Sequence, residues 1–146
     1  MSDEIGHDRG PGPHAVDIEQ ATVSNETYRT VLWTGPHLQL TVMSIEPGGE
    51  VGLEVHTTHD QFLRVEAGRG RVQMGPAKDE LVFDREVEDD WAILVPAGSW
   101  HNLTNIGDEP LKLYSLYAPR EHPPGAVHAT KADADAAEAA EDTSTA

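Results

Sequence analysis

Between Pro47 and Val72 the chain reads PGGEVGLEVHTTHDQFLRVEAGRGRV, and a carboxylate (Glu54), an imidazole (His56) and an amide (Gln61) stand in this strand-like run between glycine turns. Successive side chains of a strand point to opposite faces, so Glu54 and His56 share one face. On the next run the apolar parity places Gln61 with Leu63 and Val65. Much later, VPAGSWHNLTN (95–105) turns through Pro96-Ala97-Gly98 into a strand on which His101, Leu103 and Asn105 share a face. If both segments turn these faces into one closed structure, the donors Glu54, His56, Gln61 and His101 converge. A buried carboxylate with no partner is costly, or it takes up a proton. A divalent cation removes that difficulty. The chain has no cysteine, so the donors are N and O, which suit Fe, Mn, Zn, Ni, Co or Cu. Two His and one carboxylate are the composition of the non-haem iron facial triad, which leaves positions for substrate or dioxygen. The competing reading is a metal-free interior in which Glu54 and Gln61 bond to each other and to water.

Other residues take subsidiary places. His59 follows His56 at a ligand-like spacing but lies in a polar turn beside Asp60, so it reads as a rim residue or as an additional ligand. Trp100, next to His101, is a candidate pocket residue. Tyr114 and Tyr117 lie on opposite faces of a late strand; one of them lines the pocket, and Tyr114 is assigned there, where a phenol can act as acid or base. Glu54 is the candidate catalytic base should it leave the metal transiently. Phe62 and Arg64 have the outward parity. His7, His14, His37, His122 and His128 fall in turns or tails and are not expected to be ligands.

The elements that must position these donors are short strands. YRTVLWTG (28–35), HLQLTVMSI (37–45), QFLRVEAG, GRVQMG, ELVFDREV, WAILVPAG and LKLYSLYA are rich in β-branched and aromatic residues and are separated by turn signals. On 37–45 the apolar alternation puts Leu38, Leu40 and Val42 on one face. The pattern predicts an all-β sandwich or barrel, with no amphipathic helix longer than about 10 residues before the tail. Residues 1–14 read as a flexible leader and 15–128 as the barrel domain. Residues 129–146 read as an acidic, Ala-rich tail, disordered or weakly helical, with no apolar face to dock.

Composition bounds the partners. The 146 residues carry 26 Asp and Glu against 10 Lys and Arg, a net charge of −16. Such a surface disfavours nucleic acid and anionic membranes, both of which need a basic patch. It is best tolerated where salt screens self-repulsion. With no secretory signal pattern, no long apolar stretch and no cysteine, a cytoplasmic protein is expected.

The two runs resemble the motifs of the cupin family, small jelly-roll barrels. The first motif, G-x5-H-x-H-x4-E-x6-G in its longer form, is matched in every spacing by Gly48, Glu54, His56, Gln61 and Gly68. The second, G-x5-P-x-G-x2-H-x3-N, is matched by Pro96, Gly98, His101 and Asn105, with Asp90 in place of the opening glycine. The resemblance spans residues 37 to 117 and implies a cupin double-stranded β-helix. Glu54 stands where the family usually has its first His, and Gln61 where it has Glu. One carboxylate is thus kept, at another position. The set also resembles the zinc site of type I phosphomannose isomerases, but the chain is much shorter and shows no basic residues gathered for a sugar phosphate. The resemblance implies a divalent-metal-dependent enzyme, dioxygenase-like, acting on a small apolar or carboxylate-bearing molecule. The alternatives are a sugar isomerase and a non-catalytic barrel that holds a small ligand or metal. It further implies a homodimer, for which the strand exposing Phe62 and the 28–35 strand are the candidate faces.

Overall fold

A computed structural model describes residues 7–145, with side chains described to residue 140. Among the described residues the elements run α1 (Ile18–Ser24), β1 (Arg29–Thr34), β2 (Gln39–Ile45), β3 (Asp60–Ala67), β4 (Arg69–Gly75), β5 (Phe83–Glu88), β6 (Ala92–Val95), β7 (Trp100–Asn105), β8 (Leu111–Ala118), β9 (Val127–His128) and α2 (Lys131–Thr145). The strands form two antiparallel sheets, ordered β6-β3-β8-β2-β1-β9 and β5-β4-β7. Their facing sides enclose a core that includes Met43, Leu63, Val65, Val72, Ile93, Leu103 and Leu113. This is the all-β architecture that the strand pattern predicts, in the jelly-roll form that the cupin resemblance implies. No helix among the described residues is long and apolar enough to cross a membrane.

Gly98 and Asp90 show how turn chemistry aims the strands. Gly98 has φ +86° and donates its N–H to the His56 carbonyl at 2.8 Å, which ties the turn before β7 to the segment that carries Glu54 and His56. Asp90, at the motif's missing glycine, has φ +75°. Asp tolerates this left-handed conformation better than most residues. It is also held by its N–H on the Val65 carbonyl and by a 2.6 Å ion pair with Arg64. The departure from the motif therefore keeps the turn.

The face of β2 and the docking of the tail differ from expectation, and the described part of the leader makes contacts with the barrel. On β2 the inward residues are Gln39, Thr41, Met43 and Ile45, while Leu38 is 40% exposed. The apolar parity points the other way because the outer side of this sheet is itself covered: Val42 shares a pocket with Gln20 and Ala21 of α1. Inside, Gln39 is satisfied instead by side-chain bonds, donating to Thr34 Oγ1 and the His122 carbonyl and accepting from the Glu121 and His122 N–H groups. Of the leader, residues 1–6 lie outside the described residues. Asp8 is bound to Thr34, Gly10 and Gly125, and the Trp33 indole donates to the Gly12 carbonyl at 2.7 Å. The tail is helical and docks: Ala134 is buried in the core cluster and Glu138 Oε1 lies 3.7 Å from Arg29 Nη1. Among the described residues, Ala134 and the Arg29–Glu138 pair mark where the helix meets the barrel.

Candidate metal centre

The segment 50–56 is laid along β7 by backbone bonds. Val51 N–H donates to the Leu103 carbonyl at 2.9 Å. Glu54 and His101 exchange both bonds, at 3.0 and 2.9 Å. That reciprocal pair places the Glu54 and His101 side chains beside each other. The Asn102 side chain accepts the Gly52 N–H at 2.9 Å and fixes the bend between them. Asn105 locks the same region from below, donating to the Ile45 and Glu109 carbonyls and accepting from Gly107 N–H. The motif asparagine is a brace.

Glu54, His56 and His101 come together, and Gln61 lies near His101. Glu54 Oε1 lies 3.3 Å from His56 Nε2 and 3.5 Å from His101 Nε2. One ligand atom from each of these three residues falls within a 4.8 Å sphere of separations that could hold a metal ion. Gln61 Oε1 is buried with no hydrogen-bond partner, and the buried Nε2 atoms of His56, His101 and His59 have only a carboxylate oxygen at 3.3 to 3.5 Å, longer than a well-made hydrogen bond. Buried polar atoms in native proteins are nearly always paired, so several poorly paired ones together call for a ligand. A small void of about 10 Å³ lies beside Gln61, His101 and Tyr117, its remaining wall mostly apolar, with Met43, Leu63 and Val72 among its lining. The residues present thus fit a divalent cation with N and O ligands.

Contacts behind the rings orient them. His101 Nδ1 lies 3.0 Å from the Ser99 carbonyl, so its proton belongs on Nδ1 and Nε2 faces the cluster with a lone pair. His56 Nδ1 lies 2.8 Å from Glu121 Oε2, the carboxylate–histidine arrangement that stands behind many metal sites. Burial alone would raise the Glu54 pKa, but the imidazoles of His101 and His56 overcome it and hold this carboxyl well below the usual range. Burial alone would lower His56; Glu121 and then Glu54 outweigh it and raise it to about 9. Without a metal, the positive charge between the carboxylates is the His56 proton. A cation would take over that duty.

Sequence reasoning missed Glu121. It belongs to the segment 119–126 that carries the Pro-Pro-Gly turn, and it joins His56 and His59 in a second, overlapping donor group. His59 is buried and stacks on His56 with centroids 4.7 Å apart, while its Nε2 lies 3.5 Å from Glu121. Burial lowers its pKa, with Glu121 opposing. His59 therefore sits beside the cluster. The Gln39 bonds described above clamp the Glu121 backbone. A lone acidic residue before His-Pro-Pro carried no spacing that linked it to either motif.

Two pocket assignments are corrected. Tyr117, opposite Gln61 in the β3–β8 register, is the inward tyrosine; it is 1% exposed, with its ring 6.0 Å from His56 and its hydroxyl 3.3 Å from His122 Nε2. Tyr114 lies on the other face, 6.2 Å from the Phe62 ring. Trp100 alternates with inward His101 on β7 and so faces out, where the Lys78 ammonium lies 5.1 Å over its ring. His122 is buried and kept neutral by burial and by the Arg29 charge, its pKa lowered to about 2. A separate cleft of about 560 Å³ opens between β5 and β6, lined by Val82, Phe83, Trp91 and Leu94.

Two antiparallel sheets around a partly buried two-His, one-carboxylate group that could hold a metal ion define a small β-barrel. Residues 41–117 match the family model of the cupin domain. The chain belongs to the cupin family. It is similar to protein YrkC of Bacillus subtilis (strain 168), at 60% identity over 90% of this chain and 70% of that one. It is also similar to protein L612 of Acanthamoeba polyphaga mimivirus, at 36% identity over 78% of this chain and 70% of that one. The crystal structure of BH2720 from Bacillus halodurans superposes with a TM-score of 0.88 at 60% identity, covering 88% of this chain and 98% of that chain.

Proposed function

We propose that this protein is a divalent-metal-dependent enzyme with dioxygenase-like chemistry on a small molecule held in the barrel. The observation that carries this reading is the group of His56 Nε2 and His101 Nε2 around the ionised Glu54, with the unpartnered Oε1 of Gln61 on the same interior face. Glu54, His56 and His101 would hold the ion, with Gln61 as a weak neutral donor that a substrate displaces. When bound, the ion supplies Lewis acidity and, as iron or manganese, dioxygen activation. Glu121 holds the His56 proton on Nδ1, and the Ser99 carbonyl does the same for His101, so both rings keep their lone pairs inward. The Tyr117 hydroxyl, kept protonated by burial, is a hydrogen-bond donor aimed into the interior.

Elemental analysis of untagged protein tests the reading. Iron or manganese at about one per chain, with oxygen uptake on addition of a substrate, supports it. Zinc turns it toward an isomerase or hydrolase. A site that refuses all added metals sinks it. A second reading, a barrel that stores or senses a metal, is favoured by the small size of the inner void. Loaded protein inert toward dioxygen across a panel of small carboxylates and apolar molecules would select it.

The same reading places the protein in the cytoplasm as a homodimer. The face for a second copy moves from the Phe62 and β1 strands to the β5–β6 side, since β1 is covered by β9 and Phe62 by Tyr114. Val82 and Leu94 there are 82% and 68% exposed. Sedimentation of wild type and Leu94→Glu tests it; a monomeric wild type rules it out.

A further inference from the structure

On the inner face of β9-β1-β2-β8, beside the donor cluster, lies a second set of buried polar atoms without partners. Arg29 is 2% exposed, yet its Nε and Nη1 make no hydrogen bond. Thr41 Oγ1, Ser115 Oγ and His128 Nδ1 are likewise buried and unpaired. The register makes them one patch. Arg29 is opposite His128 and Met43, and Thr41, two residues from Met43 along β2, is opposite Ser115. Ser115 in turn stands two residues before Tyr117 on the same face of β8. The Arg29 charge acts directly on Tyr117 and Glu54.

We propose that this patch is an anion subsite, with Arg29 as its cation, that takes the carboxylate of a small monocarboxylate. An arginine buried without a bonded anion is costly, and an unpaired hydroxyl in the interior adds to the cost. A bound carboxylate relieves both. A guanidinium meets a planar carboxylate with two parallel bonds along an edge that pairs Nε with Nη2 or Nη1 with Nη2, so the free Nε–H of Arg29 opens one such edge, and the Thr41 and Ser115 hydroxyls rotate to donate to the remaining lone pairs. A phosphate dianion suits the patch less well, since Arg29 is the one arginine or lysine in it among the described residues and the Glu54 and Glu138 charges act on it. Glu138 of α2 marks the position. Its carboxylate approaches Arg29 Nη1 to 3.7 Å, too far for a hydrogen bond, from a side chain that is 42% exposed. It is the internal competitor that a ligand carboxylate replaces. The inference deepens the proposed function by giving its substrate a carboxylate end.

Acetate is the probe, with inorganic phosphate as the control. The Arg29 Nε–H signal of nitrogen-15-labelled protein is followed by NMR, with and without bound metal. Acetate is expected to shift it saturably, and phosphate is expected to bind at least about fivefold more weakly. Glu138→Gln should tighten acetate binding about threefold or more. Thr41→Val with Ser115→Ala should weaken it about fivefold with metal content unchanged. Arg29→Gln should abolish it; the other variants decide the matter if Arg29→Gln fails to fold. No saturable shift, equal binding of phosphate, or an affinity indifferent to Glu138→Gln and to the hydroxyl pair overturns the subsite. Metal-loaded protein that ignores acetate defeats this inference alone. Protein that takes acetate but no metal defeats the proposed function alone.

Discussion

The barrel interior holds two groups of poorly partnered polar atoms, and they are built differently. Around Glu54 each imidazole is gripped from behind: His101 by the Ser99 carbonyl, His56 by Glu121. Around Arg29, among the described residues, nothing grips the hydroxyls of Thr41 and Ser115, and the guanidinium has the Tyr28 ring 5.3 Å away and no bonded carboxylate, with Glu138 at 3.7 Å. Orientation fixed in advance suits an ion that stays, because each ligand is already aimed and little ordering remains to be done. Donors that can still rotate suit a group that comes and goes.

The sharpest break in this contrast is removal of a donor. Glu54→Ala and His101→Ala should each lower metal affinity by about a hundredfold or more, while His122→Ala leaves it near wild type. Equal metal content in all three, measured by elemental analysis, would dissolve the first group as a centre. Next comes the support behind it. Glu121→Gln should weaken metal binding about 10–100-fold with the fold intact by circular dichroism; an unchanged affinity would mean that His56 needs no orienting partner.

A smaller effect concerns the segment that carries Glu121. Asp8 accepts bonds from Gly10, Thr34 and Gly125. Burial works to raise its pKa, but the Thr34 hydroxyl and these N–H groups prevail and hold it below 3.8. A carboxyl depressed on folding stabilises the protein above its unfolded pKa, and that contribution fades as pH falls through the folded value. Metal-free wild type should therefore lose part of its Tm advantage over Asp8→Ala as pH drops from about 5 toward 3. At neutral pH the variant should cost about 1–2 kcal/mol, or several degrees. A gap that widens in acid would refute the sign. The smallest effect belongs to the second group. Thr41→Val removes a buried hydroxyl that bonds to nothing, so metal-free stability should hold within about 0.5 kcal/mol or rise. A loss above about 1 kcal/mol would mean that this hydroxyl already has a structural use and that the contrast is false.

Much of the fold was legible because alternation and turn residues act locally. The strand runs, the glycine turns and the i, i+2 relation of Glu54 and His56 needed no knowledge of distant neighbours. What escaped depends on tertiary partners. Whether Tyr114 or Tyr117 faces inward is decided by the β3–β8 register, which opposes Tyr117 to Gln61. The inward side of β2 was hidden because Gln39 is satisfied by the backbone of Glu121 and His122, far along the chain. Glu121 escaped for the same reason. The docking of α2 rests on Ala134, a residue type too common in the tail to single out. The Asp90 substitution, by contrast, reads as a defect in a motif and proves to be conformationally equivalent to the glycine it replaces.

The reciprocal backbone bonds between Glu54 and His101 have a consequence for how this cysteine-free chain resists unravelling. An ion shared by those two side chains would clasp the 50–56 segment to β7 as a covalent bridge does in secreted domains, but a clasp that fastens according to metal supply and is indifferent to reductants. A cell starved of the right ion would then lose rigidity in this protein together with its chemistry.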